Sequence, residues 1–107
     1  MAIQINAGSS PSLKVIWNGE WSSGTIDVPE INNYTLFIVN LATLGTSILA
    51  VRRSSYLRGI GGYSTGSDAD NIYTFAATVD GTTLTYVNSK KYDSTTKYAV
   101  ASIIGVI

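Results

Sequence analysis

Trp17-Asn18-Gly19-Glu20-Trp21-Ser22-Ser23-Gly24-Thr25-Ile26-Asp27-Val28-Pro29-Glu30-Ile31-Asn32-Asn33-Tyr34 is the stretch whose reading decides the fold. Asn-Gly between apolar-flanked runs is the strongest short hairpin signal, because both residues tolerate positive φ, so a turn is predicted at Asn18-Gly19. Ser22-Ser23-Gly24 then breaks the chain, and Thr25–Val28 alternates, with Ile26 and Val28 on one face and Thr25 and Asp27 on the other. Pro29 ends that strand or marks an edge. Two large aromatics beside one tight turn either pin a β-fold shut or offer a stacking surface. Alternation puts Trp17 in the core beside Val15 and leaves Trp21, beyond the turn, as the exposed contact.

Outward from this segment the chain keeps to residues that favour strands. Leu13–Trp17 is a strand, preceded by a Gly-Ser-Ser-Pro-Ser linker at residues 8–12 and by Met1–Asn6, an added edge strand or flexible lead. Tyr34–Val39 is almost continuously apolar, as in a strand covered on both sides. Thr46–Arg52 and Tyr56–Ile60 follow, and Asn40–Leu44 has room for one short helical turn. A turn-rich loop occupies residues 61–71. Ile72–Val79 and Thr82–Val87 flank Asp80-Gly81, a hairpin with a type I′ turn candidate. Asn88–Thr96 is a polar connection, and Lys97–Ile107 reads as one long terminal strand. No apolar period near 3.6 persists over three turns. The expectation is all-β: one antiparallel sandwich or barrel, jelly-roll-like, of seven to nine short strands spanning residues 13–107.

The composition excludes several chemistries. The 107 residues contain neither cysteine nor histidine. There is therefore no disulfide framework, no Ser-His-Asp triad, no cysteine nucleophile and no imidazole zinc site. Charged residues make up 13 % of the chain and the formal net charge is zero, against roughly 25 % charged in an average domain. Such a surface supplies no field to steer nucleic acid or an anionic membrane. A domain so poor in charge often hides part of its surface in an assembly. The first residues lack the basic start and long apolar run of a signal peptide. The apolar stretches at residues 36–44 and 99–107 are too short or interrupted for a helix to span a bilayer, and the expectation is a soluble protein.

Each candidate site competes with a structural explanation. Glu20, Asp27 and Glu30 lie close in sequence and could pair across a sugar, yet solvated turn carboxylates explain them better. Asp68, Asp70 and Asn71 alternate oxygen ligands but lack the bidentate glutamate of a calcium loop, and turns favour the same residues. Arg58-Gly59-Ile60-Gly61-Gly62-Tyr63 matches no phosphate-loop spacing, and its glycines suit a tight corner or bulge. Arg52 and Arg53 alternate to opposite faces, so with Arg58 they form no continuous nucleic-acid groove; the expected role is a rim contact. The tyrosines suit core pairing, sugar stacking and interfaces alike. Tyr63 and Tyr92 stand apart because both fall in polar, turn-rich segments. The candidate binding residues are thus Trp21, Tyr63, Tyr92 and Arg58, with no catalytic residue, metal ligand or cofactor expected.

Several of these segments together resemble the small β-rich modules in tail, baseplate and fibre proteins of tailed bacteriophages of Gram-positive hosts. They are residues 16–21 followed by 24–29, the strand 34–39, the arginine-bearing strand into 58–63, residues 75–81, and the ending Ser102-Ile103-Ile104-Gly105-Val106-Ile107. The resemblance covers Trp17 to the C-terminus and rests on structural motifs. It implies a non-enzymatic virion protein, tail- or fibre-associated, acting in assembly or host-surface attachment and assembled in the bacterial cytoplasm. Its partners would be other phage virion proteins and host cell-wall saccharide, with no nucleic acid and no membrane. By family analogy it would be a homo-oligomer, a trimer. The alternatives are a carbohydrate-binding module with Trp21 and tyrosines as its platform, a small carboxylate hydrolase, and a capsid decoration protein.

Overall fold

A computed structural model describes residues 13–42, 46–62, 72–91 and 94–107. Among these it forms eight strands: β1 (Leu13–Trp21), β2 (Thr25–Asp27), β3 (Leu36–Leu41), β4 (Ser47–Arg53), β5 (Tyr56–Gly62), β6 (Ile72–Asp80), β7 (Thr83–Lys91) and β8 (Val100–Val106). One 3-10 turn, Ile31–Asn33, is the helical element among the described residues. All pairings are antiparallel, in the order β1-β8-β3-β4-β5-β6-β7-β2. The expected all-β antiparallel domain is therefore present, and of the two forms expected, sandwich or barrel, it is one nearly closed, barrel-like sheet.

Closure follows from connectivity. β1 and β2 stand at opposite ends of the sheet order, yet only Ser22, Ser23 and Gly24 separate them in the chain. Four Cα steps reach at most about 14 Å, so the two ends of the sheet must meet here. Gly24, at φ +70°, makes the corner. Its carbonyl accepts the Tyr86 backbone N–H at 2.9 Å and the Trp21 indole N–H at 3.2 Å, which ties β1's end to β7.

The opening segment thus differs from its sequence-based reading. Asn18-Gly19 is not a hairpin turn: β1 runs straight through it. Two register irregularities against β8, between Val15 and Trp17 and between Asn18 and Trp21, absorb the extra residues as bulges. The first one reverses the alternation. Val15 opposes the outward Ile104, whereas Trp17 opposes the buried Ile103. Gly19 serves by having no side chain: a Cβ there would lie 2.7 Å from the Trp17 ring.

The interior is filled by alternate residues of each strand. Phe37, Val39 and Leu41 of β3, Ile48 and Ala50 of β4, Leu57 of β5, Tyr73, Phe75, Ala77 and Val79 of β6, Leu84 of β7, and Val100 and Ile103 of β8 are buried. Val28 and Ile31 close one end, after the β2 strand that Pro29 terminates as expected. Asn40 and Leu41, read as room for a helical turn, continue β3 instead. The glycine-rich stretch belongs to β5. Gly59 and Gly61 face inward against β4, where a Cβ would come within 2.2 Å of the Leu49 and Ser47 carbonyl oxygens. That close approach is the tight corner the sequence implied.

The β6–β7 hairpin is present, but its turn is one residue later. Asp80 pairs with Thr83, leaving Gly81-Thr82 as the loop. Gly81 has φ +62° and Thr82 does not have positive φ, so the pattern is that of a type II′ turn, not I′. The terminal strand is also shorter than expected: β8 begins at Val100, and Lys97 makes an isolated bridge to Lys90.

Candidate functional site

Trp21 is 2 % exposed, which reverses the expectation that it is the accessible tryptophan. Its ring meets Trp17, Phe75 and Tyr86 edge-on at centroid distances of 6.1, 6.0 and 5.6 Å. The barrel seam folds directly over it, so proximity to Ser22-Ser23-Gly24 buries the indole instead of exposing it. Trp17 is half-buried against the same cluster. Beside it, Ser89 is buried and donates to the Tyr98 carbonyl, so the Tyr86 hydroxyl must donate to Ser89 Oγ, at 2.5 Å. Lys97 Nζ lies 5.5 Å from the Tyr86 ring centre. These aromatics are a structural plug.

Tyr63 and Tyr92, like Asp68, Asp70 and Asn71, lie outside the described residues. The three carboxylates of the opening segment have separate occupations. Glu30 pairs with Lys14 at 2.8 Å, Asp27 accepts from Thr82 Oγ1 at 2.5 Å, and Glu20 is exposed on β1. Lys14 is held above its ordinary pKa by its hydrogen bond and attraction to Glu30. Among the described residues no three acidic side chains gather as a metal site. A shallow concavity of about 290 Å³, lined by Asn32–Thr35, Val106 and Ile107, opens at one end of the barrel. No helix among the described residues is long and apolar enough to cross a membrane.

Arg58 does occupy a distinctive place. Its guanidinium sits 4.0 Å from the centre of the Tyr56 ring, two residues earlier on the same outward face of β5. Arg52 is used locally, donating to Asn32 Oδ1 and the Ser54 carbonyl, and Arg53 faces the opposite side, as alternation implied.

The outward face next to Arg58 is the unusual feature of the molecule. The strand register sets Val15, Ile104, Ile38, Leu49 and Ile60 opposite one another across β1, β8, β3, β4 and β5. A second row runs parallel to it: Leu13, Val106, Leu36 and Val51, ending at Arg58. Leu13, Val15, Leu49 and Ile60 are 58, 50, 54 and 60 % exposed. Along the far side of the first row lies a polar row in which Ser47 Oγ donates to Asn40 Oδ1 and Asn40 Nδ2 donates to Ser102 Oγ. The rest of the exterior is more mixed: outward positions of β6 and β7 include Thr74, Ala76, Thr78, Thr83, Thr85, Asn88 and Lys90, with Ile72 and Val87 as isolated exposed apolar residues. An antiparallel sheet with one solvated face alternates apolar and polar residues, as β6 and β7 do. β3 departs from it, and its near-continuous apolar run reflects an aliphatic exterior over a packed interior.

The sequence carried this signal in pieces, as the alternating Leu49, Val51 and Ile60 and the runs at residues 36–39 and 103–107. Only the register shows that the pieces are contiguous. Neither protein-family models nor curated proteins match the chain.

Proposed function

We propose that this protein is a non-enzymatic bacteriophage structural protein, a tail- or fibre-associated module that acts in virion assembly through its aliphatic outer face. The observation that carries the reading is the pair of aliphatic rows across five neighbouring strands. Contiguous exposed apolar surface beyond a few hundred Å² marks an interaction site, and a chain with zero net charge has little else to keep it apart from its neighbours. The phage context rests on the resemblance of residues 17–107 to tail and fibre modules. Burial of Trp21 removes the tryptophan from the platform of Trp21 and tyrosines expected of a saccharide-binding module, which supports the architectural reading.

The test is mass spectrometry and immunogold labelling of virions produced by the genome that encodes the chain. Label on the tail or fibres is expected. Label on the head would replace the reading with capsid decoration, and absence from purified particles would overturn it.

A further inference from the structure

Asn18-Gly19 is the one Asn-Gly pair in the chain. Packing requires its glycine, since a Cβ there would lie 2.7 Å from the Trp17 ring. The same missing side chain leaves the Gly19 backbone nitrogen uncrowded toward the residue before it. That nitrogen can close a five-membered ring on the asparagine's Cγ if three conditions hold. The pair must be open to solvent, the amide must be free, and the backbone must be able to turn about the asparagine's ψ.

Asn18 meets all three. Asn18, Gly19 and Glu20 are exposed. Among the described asparagines, Asn32 is held by Arg52 and the Gly81 carbonyl, Asn40 by Ser47 and Ser102, and Asn88 by Thr74. The Asn18 and Asn33 amides make no bond to another described residue, and Asn33 precedes the bulky Tyr34. The backbone is also loosely held at Asn18. β1 stands at one end of the sheet order and, among the described residues, pairs with β8 alone. Its register jumps from Asn18–Ser102 to Trp21–Val100, so Gly19 and Glu20 fall where β8 has only Ala101. A strand with a ladder on one edge, interrupted at the reacting bond, opens locally more easily than one held on both sides. Asp80-Gly81 is the other pair of this type. It is closed by the Asp80–Thr83 pairing, and its carboxylate repels a nucleophile at neutral pH.

We propose that Asn18 is a modification site, at which the chain deamidates itself. Solvent base takes the Gly19 amide proton, and the nitrogen attacks Asn18 Cγ. The Cγ–Nδ2 bond then breaks, and Nδ2 leaves as ammonia after taking a proton from water, so that a succinimide remains. Water adds to either ring carbonyl and opens it to aspartate or isoaspartate. Both products add one negative charge to a chain whose net charge is zero. Isoaspartate also adds a methylene to the main chain between the Trp17 ring and the Gly19 surface it covers. That shift loosens the end of β1, where Trp21 closes the seam.

Peptide mapping by mass spectrometry, on folded protein held in warm, mildly alkaline buffer, tests this. Asn18 should convert before every other asparagine, to a mixture of aspartate and isoaspartate, at a rate that rises in proportion to hydroxide. Hydroxylamine, which attacks the succinimide, should cut the chain between residues 18 and 19. Asn18→Gln should resist both, because its ring closure is slower. Asn18→Asp carries the charge without the methylene and should melt like fresh wild type, whereas the isoaspartate fraction of aged protein should melt lower. Earlier conversion of another asparagine would overturn the proposal, as would an Asn18 that survives in the folded protein under conditions that convert it fully in urea. Isoaspartate protein that melts like fresh protein would overturn the effect on the seam. None of these outcomes depends on where the protein sits in a virion.

Discussion

Replacing Trp21 by alanine measures what holds the barrel seam. The indole is buried to 2 % exposure and touches three aromatic rings, all in edge-on geometry. Removing a buried tryptophan costs about 3–5 kcal/mol through lost transfer energy and the cavity left behind. The indole N–H bond to Gly24 adds about 1 kcal/mol; the cost stays small because the Gly24 carbonyl keeps the Tyr86 N–H. The sum is about 4–6 kcal/mol, in a domain whose whole stability should be about 5–15 kcal/mol. At about 4 °C per kcal/mol, Tm should fall by about 15–25 °C. The measurement is urea and thermal unfolding followed by far-UV circular dichroism, a probe that does not depend on which tryptophan is replaced. Trp17→Ala, at a half-buried site, should cost about half as much. Trp21→Phe keeps a ring and loses the N–H, so it should fall between wild type and alanine. If Trp21→Ala costs less than about 1.5 kcal/mol, or less than Trp17→Ala, the seam is not held by this side chain and the account of closure fails.

Three further outcomes follow from local geometry. Ser54 sits at φ +54° in the two-residue loop joining β4 and β5, so Ser54→Gly should stabilise by about 0.5 kcal/mol, read as a higher urea midpoint; a lower midpoint would contradict strain at that position. Ser89→Ala strips the bridge between the Tyr86 hydroxyl and the Tyr98 carbonyl inside the barrel and should cost about 1–3 kcal/mol in chemical denaturation, while a neutral effect would show that the bridge is dispensable. Glu30 raises the Lys14 pKa above 10.5, so the pair's contribution is complete below that pH and is lost as pH rises through the raised value. The stability difference between wild type and Lys14→Gln should therefore vanish in strong alkali and shrink with salt at neutral pH; a difference that persists above both values would show that the pair is not its source.

Much of the fold was legible because strand alternation and turn chemistry are local. The buried positions of β4 and β6, the end of β2 just before Pro29 and the β6–β7 hairpin all follow from period-two patterning and from residues with restricted φ. The Asn18-Gly19 reading failed because hairpin propensity competes with long-range pairing. β8 offers a partner on which β1 can continue, and Gly19 is needed under the Trp17 ring. The Gly81-Thr82 turn shifted by one residue because the register on both sides of it sets where the loop falls.

The candidate site divides along the same line. Arg58 was visible as part of a basic cluster; the structure places it on the outward face of β5, where it stacks on Tyr56 two residues earlier on the same strand. By itself, the sequence determined an all-β chain of low charge, without thiol or imidazole. Tertiary structure alone decided the rest. It joined β1 to β2 across a three-residue seam, drew Trp21 beneath that seam, and aligned five separate strands so that isolated aliphatic residues became two continuous rows. The physical reason is that alternation is written in each strand, whereas which strands lie side by side, and in what register, depends on pairings between distant parts of the chain.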